Sequence, residues 1–203
     1  MGQMKVLFHS PVLRFFPKAY RSWFRLEKKE VELDYFFTFY NPFLKERSRE
    51  NIAWKMEKAR KLVLEQEYDY LLNVEADIVL PTNALQKLLS NKKKVVSGLY
   101  RGRPSSFFNT CICARIYDPA GPQDSDDRYP EVEKDFRFGE LIECCFLCFG
   151  CILIAKDILA QISFKKEIDV DFSHDLQTLK VPMYLDTGVK CIHIEPTGEE
   201  IKV

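Results

Sequence analysis

From Lys5 to Gly98 the chain alternates short β-prone runs with stretches whose apolar residues recur at helical spacing, and few architectures accommodate that alternation. Lys5 to His9 reads as a first strand that stops at Ser10-Pro11. Pro17 suits the first position of a helix running to about Lys29, with Tyr20, Trp23 and Phe24 on one face. Leu33 to Tyr40 is aromatic and β-prone, and Asn41-Pro42 ends it. Ser48 offers an N-cap for a long helix reaching Gln66, in which Ile52, Met56, Ala59 and Val63 form one buried stripe. Tyr68 to Val74 reads as a buried strand, Thr82 as the cap of a helix holding Leu85, Leu88 and Leu89, and Lys94 to Gly98 as another strand. This order predicts a parallel sheet covered by helices on both faces, with ligands gathered at the carboxyl ends of the strands.

The second half follows another grammar. Thr110 to Ile116 and Leu141 to Ile154 are predicted strands on either side of an acidic loop, PAGPQDSDDRYPEVEK. A short helix is expected from Lys156 or Asp157, a weaker one over Asp169 to Leu179, and a hairpin over Tyr184 to Ile194 turning at Asp186-Thr187-Gly188. No internal repeat or linker divides the 203 residues, so a single domain with two functional halves meeting near residue 100 is expected. Thirty Lys and Arg balance thirty Asp and Glu, which argues against a protein devoted to neutralising nucleic-acid phosphates. The longest apolar run, Leu141 to Ala155, contains Glu143 and falls short of the ~20 residues of a membrane helix. The N-terminus, MGQMKVLFHSPVLRFF, lacks a signal peptide's cleavage pattern, so a soluble, cytoplasmic protein without a transmembrane segment is expected. Seven cysteines lie mostly in apolar stretches such as ECCFLCFGCILI and read as small buried hydrophobes.

Glu75-Ala76-Asp77 carries the chemistry. Two carboxylates one residue apart at the end of a buried strand can present oxygens to Mg²⁺ or Mn²⁺, usually shared with substrate phosphates. The spacing alone has little force, because Glu32/Asp34, Glu67/Asp69, Asp124/Asp126 and Asp169/Asp171 repeat it. Only Glu75/Asp77 follows a Leu- and Val-rich strand and precedes a proline-punctuated helix. The segment DYLLNVEADIVLPTNALQKLL resembles the core of GT-A-fold, nucleotide-sugar-dependent glycosyltransferases, especially the family-2-like group. Three later pieces resemble that group in order: Val95-Val96-Ser97-Gly98-Leu99-Tyr100, Phe149-Gly150-Cys151-Ile152-Leu153-Ile154, and Asp169-Val170-Asp171-Phe172 followed by VPMYLDTGVKCIHI.

The resemblance implies a Rossmann-like, mostly parallel central sheet with helices on both faces and a smaller acceptor-side sheet. It implies metal-dependent, non-processive transfer of one sugar, with inversion, from a nucleoside-diphosphate-sugar to a hydroxyl of a glycan, glycoprotein or lipid. A UDP-sugar is the favoured donor, with GDP- and dTDP-sugars as alternatives. Asp77 would hold Mn²⁺ or Mg²⁺, Glu75 the ribose or a metal-bound water, and His193 would be a further metal ligand. Asp169 is the expected general base and Asp171 the second choice. Ser10, Pro11, Asn41 and Arg60 stand where the nucleotide is expected. Arg101 and Arg103 would meet the diphosphate or an acidic acceptor, and Gly150 opens the strand beside the acceptor. The chain departs from the family pattern with Glu75 for the first Asp of the motif, Ile168 for a Glu before the base, and Asn41 for an acidic residue. It also lacks the Gln-x-x-Arg-Trp signature of processive synthases. His9 and His174 read as structural.

Two other readings compete. Cys144, Cys148 and Cys151 have the three-then-two spacing of a radical-SAM iron–sulfur site, but Gly150 replaces the usual aromatic residue and a strand would separate the thiols. A nucleotide-sugar-binding module that kept the fold and lost the chemistry would bind donor without turnover.

Overall fold

The computed structural model describes residues 2–39, 49–102, 111–115, 137–165 and 167–203. The first half follows the predicted order with one unpredicted addition, the two-residue β4: β1 (Met4–Pro11), α1 (Pro17–Trp23), β2 (Val31–Thr38), α2 (Arg49–Glu65), β3 (Tyr70–Val74), β4 (Ile78–Val79), α3 (Ala84–Ser90) and β5 (Val95–Leu99). The second half adds short strands β6 (Arg101–Gly102), β7 (Cys111–Ile112) and β8 (Ala114–Arg115), then β9 (Leu141–Cys144), β10 (Phe146–Leu147) and β11 (Cys151–Ala155). It closes with α4 (Lys156–Leu159), α5 (Ile168–Thr178), β12 (Met183–Lys190), β13 (Ile192–Ile194) and β14 (Glu200–Ile201).

This is a mixed α/β fold. Its central sheet has seven strands in the order β2-β1-β3-β11-β5-β12-β9. The pairs β2/β1, β1/β3 and β5/β12 are parallel, whereas β11 is antiparallel to both β3 and β5, and β9 is antiparallel to β12. The parallel sheet suggested by the first half is therefore split by antiparallel β11, which comes from the second half of the chain. The composition of β11 explains its place: all five residues of CILIA are buried, as a strand enclosed on both faces and both edges requires. Helices cover both faces. Phe8 of β1 packs on Trp23 of α1 at 5.4 Å between ring centroids, while the next residue, His9, turns to the opposite face, where it feels the charge of Lys55 on α2.

Three local expectations change. Helix α1 ends at Trp23 rather than near Lys29, and Phe24, expected beside Trp23 on the buried face, lies past its end, 54% exposed. Helix α3 takes Asn83, not Thr82, as its N-cap. The hairpin expected at Asp186-Thr187-Gly188 is an irregularity within one continuous strand, because β13 pairs with β4 instead of folding back on β12. There Asp186 Oδ1 accepts the Gly188 N–H at 2.8 Å and Thr187 N–H reaches the carbonyl of Glu140, so the local turn chemistry is used up without reversing the chain. Ser48 lies outside the described residues. Among the described residues no helix is long and apolar enough to cross a membrane.

Candidate active site

The parallel strands β1, β2 and β3 end together at Pro11, Thr38 and Val74, and antiparallel β11 begins at the same edge, where Cys151 pairs with Val74. A chain of side chains ties these ends. The two ring nitrogens of His9 bond Thr38 Oγ1 and Asn73 Oδ1, each at 2.8 Å, and Asn73 Nδ2 donates to the carbonyl of Phe149 at 2.8 Å. Burial lowers the His9 pKa to about 4, so the ring is neutral at neutral pH and bridges through one donor and one acceptor. Above this platform opens a cleft in two halves, of about 300 and 240 Å³, which share Pro11, Ile52 and Glu75. Asp169 lines the first half and Asp77 the second, so Glu75 stands between them.

Each acidic residue is placed by a different element. The Glu75 N–H donates to the Gly150 carbonyl at 3.0 Å, tying the residue after β3 to the one before β11. The pairing of β13 with β4 sets His193 opposite Ile78, and His193 Nε2 lies 3.3 Å from Asp77 Oδ2. Asp169 sits in the first turn of α5, where its carboxylate accepts bonds from the Cys148 thiol and the Phe149 N–H. Desolvation nevertheless holds its pKa up at about 6. Desolvation also raises Glu75, to about 8, with the charges of Asp77 and Asp169 adding to it. Asp171 faces elsewhere. Its Oδ2 accepts the Glu167 N–H at 3.1 Å and closes the start of α5, as helical spacing predicts for a residue two positions on.

A divalent cation fits the donors present. Asp77 Oδ1 is buried without a hydrogen-bond partner among the described residues, an unfavourable state for a carboxylate oxygen. Positive charge here would favour the ionised form of Glu75, which burial and the charges of Asp77 and Asp169 otherwise disfavour. Among the described residues no group of three or more His, Cys, Asp or Glu is placed to hold a metal ion, so the protein donors in contact are the pair Asp77 and His193.

The other expected residues divide. Pro11 lines both halves of the cleft, and Ser10 lies fully buried beside it, its hydroxyl without a partner among the described residues. Gly150 packs against a buried ring: a Cβ there would come within 2.3 Å of Tyr100 Cζ, and its N–H donates to Tyr100 Oη at 2.9 Å. Arg60 does not reach the cleft. Its Nε donates to the Leu159 carbonyl at 2.7 Å and its Nη1 pairs with Glu57, which fastens α2 to α4. Arg101 sits on β6, which packs near β13, and lines neither half. Asn41 and Arg103 lie outside the described residues. Sequence reasoning missed Arg14, Arg49, Asn73 and Tyr100. Arg14 lines the half that holds Asp77 and donates to the Pro196 carbonyl at 2.9 Å, while Arg49 lines the other half beside its ion-pair partner Glu167. A lone arginine carries no periodicity or motif that would have marked it.

No protein-family model matches the chain, and no curated protein does either. Solved structures do match. The chain is similar to A197 from STIV, at a TM-score of 0.63 and 17% identity over 98% of this chain and 94% of that one. At that identity the likeness concerns the fold.

Proposed function

We propose that this protein is a GT-A glycosyltransferase that works in the cytoplasm and moves one sugar from a nucleoside-diphosphate-sugar, a UDP-sugar first, to an acceptor hydroxyl. The observation that supports it is the convergence of three segments far apart in sequence at the carboxyl edge of the sheet: Glu75 and Asp77 line one cleft with Asp169, and His193 stands against Asp77. Asp77 and His193, with Glu75 beside them, would hold Mn²⁺ or Mg²⁺, which when bound neutralises the diphosphate leaving group. Pro11 and Ile52 wall the donor, Arg14 brings positive charge to the half that holds Asp77, and Arg49 lines the other half beside Glu167. Asp169 takes the proton from the acceptor hydroxyl; its raised pKa makes it a stronger base than a solvated aspartate while leaving it mostly ionised at neutral pH.

The deciding experiment is a thermal-shift screen of UDP-, GDP- and dTDP-sugars with and without Mn²⁺, followed by a transfer assay on the best donor. A ligand at 100 times its dissociation constant stabilises by about 2.7 kcal/mol, which is readily seen. Asp77→Asn is expected to keep the fold and lose the metal-dependent part of the shift. An unchanged shift removes Asp77 from the site. Binding with no transfer to any acceptor and no donor hydrolysis makes the protein a binding module instead.

A further inference from the structure

Between Leu13 and Lys29 the chain carries six Lys and Arg against one acidic residue, Glu27, although its formal net charge is zero. The fold arranges this segment in stripes. Ala19, Trp23 and Leu26 point into the core, and Lys18, Arg21 and Arg25 line one side of a surface groove of about 730 Å³ floored by Val79, Leu80 and Ile194. On the adjoining side Phe15 and Phe24, 61% and 54% exposed, stand on Tyr20 at 4.6 and 6.3 Å between ring centroids. Lys18 pairs with Glu200, whereas the side chains of Arg21 and Arg25 have no partner among the described residues. A basic stripe beside protruding phenylalanines, on a segment anchored by its third face, is the arrangement that lies in a membrane interface.

We infer that α1 and its flanks dock this protein on an anionic lipid surface, with Phe15 and Phe24 entering the acyl boundary and Arg21 and Arg25 meeting the headgroups. Charge complementarity selects the lipid. The exposed phenyl rings adjoin a groove floored by the aliphatic side chains of Val79, Leu80 and Ile194, an apolar continuity that suits acyl chains better than bases or sugars. Position adds a consequence that rests on the glycosyltransferase reading: Phe16 lines both this groove and the half of the cleft that holds Asp77, so a docked molecule opens its cleft toward lipid-borne acceptors.

Flotation of the whole chain with vesicles tests the docking without any turnover. Binding is expected to vesicles of equal parts phosphatidylcholine and phosphatidylglycerol, to be absent with phosphatidylcholine alone, and to weaken with salt. Arg21→Ala and Arg25→Ala should each weaken it about fivefold, the contribution of one basic residue near an anionic surface. Phe15→Ser with Phe24→Ser should abolish it while leaving the Mn²⁺–nucleotide shift as in the parent, although the melting temperature falls because Phe24 also packs on Tyr35 at 4.8 Å. Failure to float with anionic vesicles, or flotation indifferent to these substitutions, overturns the inference. So does a concentration-dependent dimer that Phe24→Ser dissolves, or tight single-stranded RNA binding lost in Arg21→Ala. Flotation in a protein that shows no donor binding would leave the docking standing and remove the glycosyltransferase reading alone.

Discussion

Cys148 and Asp169 form the contact at which a single atom matters most. The thiol bond lowers the pKa of a carboxylate that desolvation raises to about 6, so the two effects oppose each other. If Asp169 is the base, transfer rises with pH through the ionisation of that group. Cys148→Ala removes the donor and should move the rising limb to higher pH, with the plateau rate largely kept. Asp169→Asn should lower transfer at least about a hundredfold while donor and metal binding persist. Asp171→Asn should leave transfer within a few-fold, because Asp171 serves the backbone at Glu167. A pH–rate profile unchanged by Cys148→Ala would place the titrating base elsewhere. The cysteines at iron–sulfur spacing are placed apart: Cys144 is on β9 and Cys151 on β11, with β5 and β12 between them, roughly 14 Å at the usual strand spacing.

At the scale of elements, α2 does two jobs at opposite ends. Its first turn brings Arg49 and Ile52 to the cleft, Met56, Ala59 and Val63 bury against the sheet, and Arg60 locks it to α4 through the Leu159 carbonyl. Glu57 completes that lock, since its Oε2 accepts the Phe164 N–H at 3.2 Å while Oε1 takes Arg60. Arg60→Met keeps the aliphatic stem and removes these bonds, so urea denaturation should show a loss of about 1–2 kcal/mol. The Mn²⁺–nucleotide thermal shift should stay at the parent's value. A lost shift with stability intact would return Arg60 to the nucleotide.

For the whole molecule the consequence of β11 is cooperativity. The first half contributes β1, β2, β3 and β5, but β3 and β5 meet only through β11, and β5 gains its other neighbour from β12. A fragment of residues 1–100 would leave three strand edges unpaired, one on β3 and both on β5. It is expected to show no cooperative unfolding transition by circular dichroism, whereas the whole chain unfolds in a single step. A fragment that melts cooperatively would mean that the first four strands close a sheet of their own.

The sequence by itself determined the alternation of the first half, the buried stripe of α2 and the acidic pair at the end of β3. Those features are local: period, capping and burial are written in neighbouring residues. The helix over Asp169 was legible in the same way, and with it the divergence of Asp169 from Asp171. Only the tertiary structure decided that β11 enters the sheet antiparallel, that β13 reaches β4, and so that His193 stands beside Asp77. It also decided that Arg60 holds a helix while Arg14 and Arg49 face the cleft. Strand pairing and side-chain convergence across a hundred residues depend on which edges and faces are still free when the chain arrives, and no local pattern records that.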